Sequence, residues 1–364
     1  MFDMIATKQN NTTIGIDGGD YNLQGAPCGG IARLVGSFMN VINHHITNKQ
    51  WIYYYFGNKN TSWKSESIIL RRLSSRLFSS LFLPLNFLFD EVKVFLGFSG
   101  VLPPFTLFLK KKSIVFIHDF AFYAYPNLYH DASVMKWQSE YAIYGATKVV
   151  VFTDYIKQQI LKRFPRINKD KIIRIYPGMN HLSRVSVKKI SDSYFLYVGV
   201  IKPMKNIEKL LIYFKDFLTV SQNKQIKLIL IGPHEQPYIK QLLQTKLYLE
   251  IKENVLFLQS VSDQELTSYY VCAMAILNTS YEEGFCYPVV EALYLGKTVI
   301  VNDLSIYKEF TPYFKRLRIT TSGEDFVRQM VLLAKQPINN TLVKQELFTL
   351  EHFTKEVLRL INTI

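Results

Sequence analysis

The chain has 364 residues, long enough for two domains each with its own core, and its 48% hydrophobic and 14% aromatic content excludes intrinsic disorder. Against 29 Asp and Glu stand 43 Lys and Arg, a net charge of +14 that suits a solvated basic surface or a partner such as nucleic acid, an anionic membrane face or a phosphate-bearing substrate. Three cysteines without a CxxC pair exclude a disulfide framework or a zinc site and point to a reducing compartment.

Met1 to Thr13 is polar and lacks the apolar core of a signal peptide, and no uncharged apolar run is long enough for a membrane span. Short apolar strands then alternate with amphipathic helices, the pattern of parallel sheets with crossover helices. Thr13–Asp17 reads as the first strand. Gly25, Gly29 and Gly30 follow it, and Ile31, Leu34, Val35 and Phe38 begin a helical stripe. Such a loop admits a phosphate to the backbone or simply turns a strand into a helix; it is neither a dinucleotide fingerprint nor a Walker loop. After a strand at Trp51–Phe56, Ser65–Phe82 places Ile69, Leu70, Leu73, Leu77 and Leu81 on one helical face and Arg71, Arg72 and Arg76 on another. That spacing predicts a core-facing helix with a basic solvent face, or an interfacial one.

Val92–Phe95, Ser113–Ile117, Lys148–Phe152 and Ile172–Tyr176 complete the strands of the first half. His118 ends one of them, where an imidazole could meet a sugar hydroxyl or serve structure alone. Asp119 is read as orienting its loop. Phe120, Phe122, Tyr123, Tyr125 and Tyr129 follow, either an acceptor platform or a packed hydrophobic loop. The polar stretch Asn180–Ser193 predicts the hinge between a first domain over 1–180 and a second over 181–347. In the second half Tyr194–Val200, Lys227–Ile231, Val255–Leu258, Ala273–Leu277 and Thr298–Val301 read as strands, and Ser262 with Glu265 and Ser322 with Asp325 as helix starts. Ile207, Leu210, Leu211, Phe214, Phe217 and Leu218 form a core-facing stripe just after Lys205-Asn206.

The most informative segment is Tyr281-Glu-Glu-Gly-Phe-Cys-Tyr-Pro-Val-Val-Glu-Ala-Leu-Tyr-Leu-Gly296. A strand runs into a loop and then a helix that Pro288 suits as first residue and Gly296 ends. Free amides at that helix start attract an anion, and Glu283 in the loop and Glu291 in the first turn could accept hydrogen bonds from vicinal hydroxyls. Sugar and ribose chemistry follows.

This segment resembles the signature of the retaining, GT-B fold glycosyltransferases of family 4 (glycosyl transferases group 1), which carry Glu-Gly-Phe-Gly and a second Glu eight positions after the first. Gly29-Gly30-Ile31-Ala32-Arg33, Ile117-His118-Asp119, Tyr176-Pro177-Gly178-Met179-Asn180, Tyr197-Val198-Gly199 to Lys205-Asn206 and Ile231-Gly232-Pro233 extend the resemblance along nearly the whole chain. It implies two doubly wound Rossmann-like domains facing a central cleft, with the last helix, about 348–364, packed back on the first. It also implies transfer of a hexose, mannose-type first, from a nucleotide diphosphate sugar to a glycan or lipid-linked acceptor with retention of configuration, in the cytoplasm and without metal or cofactor. By the same resemblance His118 and Glu283 are catalytic. Gly29, Gly30, Lys205, Gly284, Phe285, Cys286, Tyr287 and Glu291 hold the donor, Lys205 at its diphosphate and Glu291 at its ribose. Two departures stand out: Val200 occupies a place where many members have Arg, leaving Lys205, with Lys202 as substitute, to anchor the diphosphate; and Cys286 replaces a common glycine, which narrows the pocket or demands another backbone angle. A nucleotide-sugar epimerase, or a non-catalytic binder of anionic membrane or nucleic acid, are the alternatives. Nucleic acid is the less favoured partner, and a peripheral contact of the basic first domain with anionic membrane is the further expectation.

Overall fold

The computed structural model describes residues 12–19, 30–44, 49–55, 63, 65–73, 81–103, 106, 111–179, 190, 193–338, 343 and 345–364. The first half runs β1 (Thr12–Gly19), α1 (Gly30–His44), β2 (Lys49–Tyr55), β3 (Ile68–Arg72), α2 (Leu83–Phe89), β4 (Val94–Gly97), β5 (Lys112–Ile117), α3 (Ala121–Ala124), α4 (Ala132–Gly145), β6 (Lys148–Val151), α5 (Asp154–Arg163) and β7 (Ile172–Arg174). The second runs β8 (Tyr194–Val198), α6 (Ile207–Ser221), β9 (Lys227–Ile231), α7 (Gln236–Leu243), α8 (Lys246–Ile251), β10 (Val255–Leu258), α9 (Asp263–Cys272), β11 (Ile276–Asn278), α10 (Tyr287–Tyr294), β12 (Val299–Asn302), α11 (Ser305–Phe310), β13 (Leu317–Thr320), α12 (Gly323–Ala334) and α13 (Leu350–Asn362).

Each half folds as a doubly wound α/β domain, as expected. The strands are all parallel, in the orders β3-β2-β1-β4-β5-β6-β7 and β10-β9-β8-β11-β12-β13. Strands buried on both faces need continuous apolar runs, and IVFI in β5, VVV in β6 and LILI in β9 supply them. In both sheets the order reverses between neighbours, β1 beside β4 and β8 beside β11. Ligands of such sheets bind beyond the strand carboxyl ends at this switch point. Lys205 follows β8 and Glu283 follows β11, so the second domain brings both to its switch point.

One expected helix is replaced by a strand over part of its length. Residues 68–72 are β3, an edge strand paired with β2 from Trp51↔Ile68 to Tyr55↔Arg72. Its β-branched Ile68 and Ile69 suit a strand, and the partner edge of β2 outweighs the helical spacing. Arg76 and Leu77 fall outside the described residues, as do Gly25, Gly29 and all of 180–193 except Ile190 and Ser193. β13 has no counterpart among the expected strands; LRIT alternates too briefly to register.

The halves meet in an aromatic junction. Tyr176 stacks on Phe348 at 4.5 Å, and Phe285 meets Phe310 at 5.5 Å and Phe152 at 6.1 Å. α13 lies on the first domain, its Phe353 against Phe38 and Phe116. Gly178 permits this crossing, since a Cβ there would come within 2.3 Å of the Leu350 Cα.

Candidate functional site

β11 ends in the buried polar run Asn278, Thr279, Ser280, and the loop beyond carries Glu283, only 8% exposed. Lys205 reaches it with Nζ 2.7 Å from Oε1, and the Ser280 hydroxyl donates to the same oxygen at 2.6 Å. Burial would raise the Glu283 carboxyl, but the Lys205 ammonium and these hydrogen bonds outweigh it and hold the group below the usual carboxylate range. Burial likewise opposes the Lys205 charge, and Glu283 more than restores it, raising that ammonium above its ordinary value. The pair therefore stays ionised at neutral pH.

Glu291 lies in the second turn of α10 rather than the first, because the helix opens at Tyr287 with Pro288 as its second residue. It is 2% exposed; the Tyr270 hydroxyl donates to Oε2 at 2.8 Å, and Arg33 of α1 stands 3.6 Å from Oε1. Arg33 also bridges to Asp263 at 3.1 Å. One guanidinium of the first domain thus touches two carboxylates of the second. Gly296 closes the α10 end in the left-handed region, φ 75°, as expected.

Between the carboxylates, residues 284–287 form the contact with the first domain. A Cβ on Gly284 would fall 1.7 Å from the His118 carbonyl oxygen, and the Gly284 carbonyl accepts from the Thr153 hydroxyl at 2.9 Å. Phe285 is buried in the aromatic junction. Cys286 adopts φ 61°, the left-handed backbone that favours glycine. Burial pushes its thiol well up and the Glu283 charge pushes the same way, so it is no thiolate nucleophile at neutral pH. The Tyr287 ring lies where any side chain on Gly30 would stand, 2.4 Å from its Cβ, and the Tyr287 hydroxyl is buried without a hydrogen-bond partner among the described residues. The N-termini of α1 and α10 therefore converge, and with them two positive dipole ends.

His118 ends β5 with Nε2 2.5 Å from the Phe98 carbonyl and its ring edge-on to Phe152 at 5.0 Å. A carbonyl accepts only, so Nε2 carries the proton and Nδ1 remains an acceptor. Burial lowers the imidazole below its ordinary value, against the Phe98 bond and the Asp119 charge, and the ring is neutral at neutral pH. Asp119 takes the Ala121 N–H at 3.0 Å and so holds the turn into α3. Phe120 and Phe122 are core residues and form no platform. Arg163 covers the Tyr123 ring at 4.0 Å, Tyr125 meets Tyr281 across the cleft at 5.4 Å, and Lys202 stands over Tyr129 at 5.8 Å.

Sequence reasoning assigned no role to Arg33, Tyr270, Ser280 or Glu309. Glu309 accepts from the Asp154 and Tyr155 amides at 3.0 and 3.1 Å and from the Tyr176 hydroxyl at 2.7 Å, capping a first-domain helix with a second-domain carboxylate. Only Arg33 stood inside a quoted motif; the other three are visible through spatial neighbours alone. Among the described residues no three His, Cys, Asp or Glu are grouped to hold a metal ion, and no helix is long and apolar enough to cross a membrane.

Residues 180–339 match the family model described as Glycosyl transferases group 1. Over 204 residues the chain is 28% identical to the O-antigen chain mannosyltransferase RfbU of Salmonella typhimurium, covering 56% of each. The match thus spans little more than half the length of that curated relative. Among solved structures, a sucrose-phosphate synthase from Thermosynechococcus elongatus superposes with TM-score 0.74 at 17% identity over 97% of this chain and 98% of its own. HepE of Anabaena, in complex with UDP and glucose, gives 0.70 at 14% over 97% and 100%. At these identities the likeness shows the fold: two Rossmann-like domains in the GT-B arrangement.

Proposed function

We propose that this chain is a retaining glycosyltransferase of family 4 that moves a hexose, mannose-type first, from a nucleotide diphosphate sugar to a glycan or lipid-linked acceptor. The observation that carries it is the buried Lys205–Glu283 pair at 2.7 Å, set where the N-termini of α1 and α10 converge and next to Gly284, which passes by the His118 backbone carbonyl. A diphosphate needs cationic donors and favours the positive ends of helices, while a sugar needs fixed acceptors. The cleft has both. The mannosyltransferase relative supports the choice of hexose, and the complex of a structural neighbour with UDP and glucose supports a nucleotide-linked donor.

In this reading the donor ribose hydroxyls donate to Glu291, displacing Arg33 and sharing the carboxylate with Tyr270. Glu283 and the acceptor nitrogen of His118 take hydroxyl hydrogens of the sugar from opposite sides. As the bond to the diphosphate breaks, negative charge grows on the leaving oxygen, and Lys205 with the α10 amides stabilises it. The Glu283 charge keeps Lys205 protonated for that step. Gly30 brings the first-domain backbone towards the phosphates, and Gly29 is assigned to the donor with it. Retention, independence of metal and a cytoplasmic site belong to the same proposal.

Thermal-shift screening of GDP, UDP and dTDP sugars with EDTA present tests it, since a ligand at 100 times its Kd adds about 2.7 kcal/mol to native stability. The best donor, labelled, should then pass its sugar to membrane or glycan extract with the anomer retained by NMR. Glu283→Gln and Glu291→Gln should each cost at least about tenfold in transfer, a charged hydrogen bond being worth about 1.5–3 kcal/mol. No shift with any nucleotide sugar sinks the proposal; free sugar without labelled acceptor assigns an epimerase instead.

A further inference from the structure

α2 and α4 lie in one layer on the same face of the first sheet, opposite α1 and α13, and their buried sides enter a common core through Leu83, Phe87, Ala142 and Ile143. Their outer sides also carry large apolar side chains. Leu81, Leu85, Leu88 and Phe89 recur at helical spacing towards solvent, with Phe89 81% exposed. On α4, Val134, Trp137 and Tyr144 do the same; Trp137 is 60% exposed and stacked on Tyr141 at 5.7 Å. Large apolar side chains exposed at helical spacing on two helices of one layer exceed the scattered single residues that a soluble surface normally carries.

Both helices run down to the amino edge of the sheet, and lysines edge them there. Phe89 leads within a few residues to Lys93, whose carbonyl accepts from the Lys112 amide, so these two lysines start adjacent strands. The Lys171 ammonium donates to the Tyr144 carbonyl at 2.7 Å, and Lys148 to the Asp170 carbonyl at 3.0 Å. Burial pushes Lys171 down to about 8, which leaves it largely charged at neutral pH. The acids nearby do not match this rim: Asp90 is taken by Arg71, and Glu140 receives the Tyr123 hydroxyl, leaving Glu91 and Asp170. A second copy seated symmetrically on this face would set lysines against lysines. Anionic headgroups over an apolar interior complement the surface, and Trp and Tyr favour that boundary.

We propose that the outer face of α2 and α4 docks on an anionic phospholipid bilayer, with Leu88, Phe89, Trp137 and Tyr144 entering the interface and the lysine rim meeting the headgroups. The docking is independent of the donor reading and can be measured without a nucleotide sugar. It uses α2, α4 and the strand starts, and shares only Leu81 with the stretch 65–82 from which the sequence suggested membrane contact.

The full chain is sedimented with vesicles of phosphatidylglycerol and phosphatidylethanolamine, and separately with phosphatidylcholine alone, at low and high salt. Binding should require the anionic lipid and weaken steeply with salt. Trp137 fluorescence should be quenched by phospholipid brominated in its acyl chains, and the Trp137→Phe variant should lose that quenching; Trp51 is buried and Trp63 is held by Asn40. The pairs Leu88→Ser with Phe89→Ser, and Lys93→Glu with Lys112→Glu, should each lower the partition coefficient about tenfold or more with an unchanged thermal midpoint. No binding to anionic vesicles at low salt, no quenching of wild-type Trp137, or undiminished binding by both pairs overturns the proposal. So does a dimer in ultracentrifugation that Leu88→Ser with Phe89→Ser dissolves, which would assign the face to a second copy.

Discussion

Lys205→Met leaves the Glu283 carboxylate buried beside no ammonium, and removing one partner of a buried pair costs about 3–5 kcal/mol. The double variant Lys205→Met with Glu283→Gln removes both charges and should recover much of that loss, so denaturant titration of the four-member cycle should give a coupling well above that of a surface pair. The pH dependence has a definite sign. Glu283 titrates below its ordinary value in the folded chain, so its contribution is present above the unfolded carboxylate pKa and is lost as acid carries the pH down through the lower folded value. Lys205 titrates above its ordinary value, so its contribution holds below the unfolded lysine pKa and is lost as pH rises through the raised one. Between about pH 6 and 9 the stability gap between wild type and the double variant should therefore be flat. A gap that moves through neutrality would mean that the pair is not ionised as described.

Helix α10 begins without a side-chain cap, on a cysteine at φ 61°. A left-handed non-glycine residue costs about 1–2 kcal/mol, while the cysteine side chain is buried and contributes by packing. Cys286→Gly exchanges one for the other and should stay within about 1.5 kcal/mol of the parent, whereas Cys286→Val, β-branched in the same backbone, should lose more than about 2 kcal/mol. Chemical denaturation of the three chains should rank Val last; a Val variant as stable as the parent would show that the backbone is not held left-handed. At α9 the arrangement is the reverse. Ser262 caps the Glu265 amide and Glu265 returns to the Ser262 amide, a reciprocal pair at the helix start. Ser262→Ala should cost about 1 kcal/mol, read as a lower thermal midpoint with donor binding unchanged.

The two domains touch where the donor is proposed to sit, so closure and binding share residues. Arg33 holds Asp263 and Glu291, Glu309 caps α5, and the backbone of Gly284 passes directly by the His118 carbonyl. Gly284→Ala puts a Cβ 1.7 Å from that oxygen, a backbone atom that cannot swing aside as a flexible side chain would. The variant should fold, show a larger radius of gyration by X-ray scattering, and bind donor at least about tenfold more weakly, because a strain of more than about 1.4 kcal/mol falls on the closed form. Unchanged scattering and affinity would mean that the domains do not close through this contact.

Local chemistry by itself determined the two doubly wound domains, most strands of both sheets and the placement of Lys205, Glu283 and Glu291 at one edge of the second. Apolar runs, capping residues, Pro288 and Gly296 act over a few neighbours, and a linear reading captures them. Only the tertiary structure decided the rest. The isoleucines of 68–72 became an edge strand because β2 offered unpaired backbone, and Phe120 and Phe122 entered the core because α4 and α5 closed over them. His118 is neutral because burial lowers its imidazole, and the Phe98 carbonyl against Nε2 leaves Nδ1 as the acceptor; Arg33 reaches Glu291 only across the cleft, and the outward apolar side chains of α2 and α4 emerge once their other sides are buried. Hydrogen-bond partners, desolvation and exposure depend on groups distant in sequence, which no local pattern encodes.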